Sequence, residues 1–273
     1  MAYDTLLTHV AMDRGCEARL RMTADVARVL GCGEVIGLGA QAPWPFSDER
    51  DGTGPDFERL VQSARSDIAV SESAFRDALA AATATASWRS EIGYPSDVVA
   101  AHARAADLVL AYRSNEATVS FAYADPEIVL MEAGLPVLFM PASYAEFKAD
   151  TVLFAWKNTR EARRAAALAL PVLSKARRVL VASVCHERDL AGVEQELADI
   201  ARRLSRHGVA ATTLAEVGAP GSAGSRLVRI AETDGSELIF AGAYGHSRLR
   251  EWALGGVTRD LLSARDRFVL LCH

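Results

Sequence analysis

Short apolar runs alternate along this chain with longer segments whose apolar residues recur at helical spacing. In the first half, residues 5–10, 34–38, 83–88, 107–111 and 135–140 read as buried strands. Between them, residues 18–30, 57–82, 96–106 and 125–133 repeat apolar positions every three or four residues and read as helices. Gly31 is placed to stop the first helix, and Ser96, after Pro95, to cap the third. The second half has the same order. Strands are expected at residues 151–156, 178–184, 209–216, 237–241 and 268–272, and helices at 160–170, 190–207, 225–231 and 258–263. Thr159 is a candidate N-cap and Gly208 a helix stop.

Each half therefore reads β-α-β-α-β-α-β-α-β. Apolar strands alternating with amphipathic helices call for a parallel sheet covered on both faces. The expected fold is α/β, with two tandem doubly wound, five-stranded parallel-sheet domains at residues 1–145 and 146–273 and a linker near 141–149. The length of 273 residues suits two domains.

Composition narrows the function. A net charge of -5 argues against a general binder of nucleic acid or anionic membrane. No apolar run reaches the length of a membrane span. The N-terminus lacks a basic region followed by a long apolar one, so a cytoplasmic protein is expected. Cys16, Cys32, Cys185 and Cys272 are far apart, have no metal spacing, and read as reduced packing thiols. Cys16 lies near Arg14 and Arg19, which would lower its pKa, and an inert thiol is the favoured alternative. The histidines also lack ligand spacing.

The most specific feature lies between residues 240 and 262. An apolar strand leads into Gly242 and Gly245, and after nine intervening residues Gly255 and Gly256 precede Val257-Thr258 at a helix start. Strand, glycine-rich loop and helix N-terminus form an arrangement that binds phosphate. Glycines let backbone N–H groups approach an anion, and a helix start offers unpaired donors. No Gly-Lys-Ser/Thr follows, so this is not a Walker loop. The first half carries no such glycines after residue 112. It has Asp125 and Glu127 instead, which would repel a phosphate.

The spacing Gly-x2-Gly-x9-Gly, its preceding strand and its place one short helix before a final strand resemble the nucleotide loop of the universal stress protein family. The resemblance spans the whole chain as two fused copies, and implies halves packed like a dimer of single-domain members. It further implies a stress-response protein binding an adenine nucleotide (ATP, ADP or AMP), with or without Mg²⁺, in the second half. The phosphates would sit on Gly242, Gly245, Gly255, Gly256, Val257 and Thr258, with the base near Ala155 and Ser183.

Two positions depart from the family pattern. Gly256 stands where the family has Ser or Thr. The family's acid after the first strand is Asp13 in the first half, but Lys157, beside Asn158, in the second. Lys157 either pairs with a phosphate as a point charge or disrupts the usual pose. His246 and Arg248 lie inside the loop and either touch phosphate or face water. Three other readings stay open: a scaffold without any cofactor, a binder of another small anionic or apolar ligand, and a weak nucleotide hydrolase. The last is least favoured, since the loop holds no evident general base or metal-binding carboxylate. Protein partners and a homodimer are both compatible with this reading. The irregular stretch around Trp44 and Phe46 reads as a connection, or as a cover over a ligand.

Overall fold

The computed structural model describes residues 2–43, 55–112, 121–219, 221–243 and 256–273, with side chains at 55 and 56 left out. By internal contacts the chain forms two compact units. The first contains Tyr3–Leu135 and Ala142–Tyr144; the second contains Pro136–Pro141 and Ala145–His273, together with Ala2.

The first unit is built from β1 (Thr5–His9), α1 (Cys16–Leu30), β2 (Glu34–Gln41), α2 (Pro55–Leu79), β3 (Thr85–Ile92), α3 (Pro95–His102), β4 (Leu108–Tyr112) and α4 (Pro126–Glu132). Its strands lie in the order β3-β2-β1-β4. All three pairings are parallel. α1 ends at Gly31, whose left-handed φ of 70° closes the last turn at no Cβ cost. Ser96 does not cap α3. Tyr94 holds that position, and the Ser96 hydroxyl accepts from the Asp125 N–H at 2.8 Å.

The second unit contains β5 (Val137–Met140), β6 (Thr151–Ala155), α5 (Arg160–Leu168), α6 (Leu170–Leu173), β7 (Arg178–Cys185), α7 (Leu190–Ser205), β8 (Ala211–Val217), α8 (Ala223–Asp234), β9 (Leu238–Gly242), α9 (Gly256–Ser263) and β10 (Phe268–Cys272). The strand order is β5-β10-β9-β6-β7-β8. β6 to β10 pair in parallel. β5, the fifth strand of the first repeat, instead runs antiparallel to β10, with Leu138 opposite Leu270. Central strands are buried almost throughout, as both-face coverage requires. The edge strands β3 and β8 are largely half-buried or exposed.

A matched pair of carboxylates marks the repeat. Asp107, just before β4, accepts from the N–H groups of Asp4 and Thr5 at 2.9 and 3.0 Å, at the start of β1. Glu237, just before β9, accepts from Asp150 and Thr151 at 3.1 and 3.2 Å, at the start of β6. Both carboxylates take up strand-end donors that would otherwise lack a protein partner.

Candidate functional site

In the second unit the strand order reverses between β6 and β9, so their carboxyl ends border the crevice where doubly wound folds take ligands. Ala155 ends β6 opposite Ala241 and Ala182. Ser183 follows Ala182 on β7 and is buried. Gly242 ends β9, paired with Cys272. Ala155, Ser183 and Gly242 are thus brought to one end of three adjacent strands.

Lys157 follows on the connection to α5 and is exposed. Thr159 caps α5 as its residue type predicts, its hydroxyl accepting from the Ala162 N–H at 3.2 Å. Asn158 is engaged within the protein. Its amide donates to Glu196 of α7 at 3.1 Å and accepts from Arg163 at 2.8 Å. It therefore braces α5 against α7, a role its place in a turn did not disclose.

Gly242 has a local reason to be glycine. A Cβ there would lie 2.6 Å from the Ala162 nitrogen and 2.8 Å from its Cα, in the first turn of α5. The absent side chain lets that turn sit on β9. Gly256 differs, because a Cβ there would meet nothing within 4 Å among the described residues. α9 begins at Gly256, two residues before the expected start; Val257 is exposed and Thr258 buried. Gly245, His246, Arg248 and Gly255 lie outside the described residues, as do Trp44 and Phe46. Gly224, in the first turn of α8, is a packing residue: a Cβ there would collide with the Asp260 side chain on α9.

The corresponding place in the first unit is filled by its own side chains. Asp13 Oδ1 accepts from the Gly15 N–H and from Arg19, each at 2.7 Å. Arg19 also donates to the Ala11 carbonyl at 2.7 Å and lies 3.8 Å from the centre of the Tyr112 ring. Counted back from the helices, Asp13 and Lys157 match. Counted from the strands, Lys157 matches Ala11, because the connection before α1 (residues 10–15) is two residues longer than that before α5 (residues 156–159). Asp125 caps α4, accepting from Glu127 and Ile128 at 2.8 and 3.4 Å, so that helix start is already satisfied. Residues 113–120 lie outside the described part.

Titration of this region is governed by burial. It pushes the Cys16 thiol up against the opposing pull of Arg19, so the cations do not activate it. Burial likewise raises Tyr112. It lowers His9 to about 4, a shift only partly offset by the Ala40 carbonyl and reinforced by Arg19. The pairing of Arg19, read in the sequence only as a neighbour of Cys16, and the role of Tyr112 are legible afterwards only as a cation six residues past Asp13 and an aromatic at a strand end.

No group of three His, Cys, Asp or Glu among the described residues could hold a metal. No helix among them is long and apolar enough to cross a membrane.

The sequence matches no protein-family model and no curated protein. The structure does have relatives. The whole chain is similar to a universal stress protein from Archaeoglobus fulgidus, with a TM-score of 0.72, 16% identity, and coverage of 98% of this chain and 95% of that one. A putative universal stress protein from Pseudomonas aeruginosa follows at 0.61, with 15% identity over 99% of this chain and 93% of its own. A functionally unknown protein of the same organism gives 0.62, with 15% identity, covering 99% and 92%. The fold of this chain is that of universal stress proteins, with two α/β repeats in tandem.

Proposed function

We propose that this is a tandem universal stress protein whose second unit binds an adenine nucleotide and acts as a sensor or regulator rather than an enzyme. The supporting observation is the reversal of strand order between β6 and β9, which sets Ala155 and Gly242 side by side at the crevice end of the sheet. From that end the chain enters the glycine-bearing segment and emerges at the start of α9. Its glycines and the N–H groups of Gly256, Val257 and Thr258 would receive the phosphates. Lys157 would face them as a point charge and Ser183 would lie under the base. Any Mg²⁺ would be carried mainly by the nucleotide. In the first unit Arg19 and Asp125 already satisfy the groups a ligand would use, and its role is structural.

The experiment is to denature freshly purified protein, identify released small molecules by mass spectrometry, and titrate ATP, ADP and AMP calorimetrically. Released adenine nucleotide, or saturable binding lost on Gly245→Val, supports the proposal; no ligand and no binding overturns it. A scaffold without nucleotide is the second reading. It is favoured by Gly242, whose glycine is fully accounted for by the packing of α5.

A further inference from the structure

The first unit holds a buried histidine that the proposed function does not use. His9 ends β1 and is 6% exposed. Its Nε2 lies 3.0 Å from the Ala40 carbonyl oxygen, which can only accept. Nε2 therefore carries the proton, and Nδ1 keeps its lone pair. Nδ1 is sealed from solvent and has no partner among the described residues. Burial depresses the ring's basicity, which keeps it neutral and Nδ1 an acceptor at pH 7.

The strands around this ring are forked. Pairing of β1 with β4 runs through Leu6↔Leu108, Leu7↔Val109 and Thr8↔Leu110 and stops there. Yet β1 continues to His9 and β4 to Tyr112. At the matching level of the second unit, β6 and β9 remain paired at Ala155↔Ala241. The fork opens a cavity with His9, Val99, Ala111, Ala124 and Val129 among its walls, and about 10 Å³ of it is open to the centre of a water molecule. That is far too little for a nucleotide and about the least that holds one water.

We propose that this fork is a binding site for a single internal water. The water donates a hydrogen bond to His9 Nδ1 and bonds the β4 backbone beyond Leu110, where β1 no longer pairs with it. It restores across the fork the link that backbone pairing supplies in the second unit, where alanine stands in place of the histidine.

The test is long-range ¹H–¹⁵N NMR on full-length protein labelled at histidine nitrogen, with water-to-ring cross-relaxation, at pH 7. The expected result is an Nε2–H tautomer, an Nδ1 resonance displaced from that of an unbonded ring nitrogen, and a cross-peak to a long-lived water. Ala124→Val narrows the cavity and leaves His9 intact; it should abolish the cross-peak and return Nδ1 to its unbonded position. Val129→Ile makes the same test from another wall if the first variant does not fold. An unbonded Nδ1 with no water contact in the unsubstituted protein overturns the proposal. So does a cross-peak that survives in a folded cavity-filled variant.

Discussion

At the scale of single residues, two glycines of one apparent motif differ in what they do. Gly242→Ala forces a Cβ into the α5 backbone and should cost about 1–3 kcal/mol whether or not a ligand binds. Gly256→Ala meets no described residue and should leave stability within about 0.5 kcal/mol. Urea unfolding of the two variants checks both, and equal costs would sink the distinction. His9 makes a second residue-scale prediction. Its pKa is about 4 in the folded protein and about 6.5 unfolded. The unfolded chain therefore binds more protons between those values, and stability falls as pH drops from about 6.5 towards 4. The loss should reach about 3 kcal/mol by pH 4. A folded His9→Gln variant should lack that part of the pH dependence; denaturation curves at several pH values in that window would show it. For Lys157, substitution by Asp should tighten nucleotide binding if the missing acid is the defect, and weaken it if the lysine meets phosphate, as calorimetry would show.

At the scale of elements, the order of strands and helices was readable because wholly buried strands are continuous apolar runs. What escaped has identifiable causes. β3 was expected at 83–88 but runs from Thr85 to Ile92. It is an edge strand, and the polar residues Arg89, Ser90 and Glu91 disguise its second half. One helix expected at 160–170 is two, since Pro171 has no N–H for an interior turn and sits in the first turn of α6. The reason for Gly242 was illegible because the backbone it admits lies eighty residues upstream. Likewise, no spacing announces that Asn158 would be held by Glu196. The strand-start carboxylates belong to this scale too. Asp107→Ala and Glu237→Ala each remove an acceptor for two backbone donors. Each should cost about 1 kcal/mol because the sites are largely open to water, measurable as a shift in the unfolding midpoint.

At the scale of the whole molecule, repeat and structural unit do not coincide. β5 belongs by sequence to the first repeat and by its contacts to the second unit, where it pairs with β10. Its residues Val137, Leu138, Phe139 and Met140 are all buried. A fragment beginning at Ala145 would leave β10 without this neighbour, an open apolar strand edge that invites pairing with another chain. Such a fragment should self-associate, which sedimentation would show. After β5 the chain returns to the first unit at Ala142–Tyr144, where the Tyr144 hydroxyl donates to Asp25 at 3.0 Å. Three residues later Phe147 is fully buried in the second unit, edge-on to Phe268 at 4.9 Å.

The lent strand also bears on what a cut would do. A protease nicking the chain between Pro141 and Ala145 would sever the covalent link after β5, not the hydrogen bonds that β5 makes with β10. The two pieces would behave as a split protein whose complementing tag is already seated. They would co-elute under native conditions and part only when the sheet is denatured.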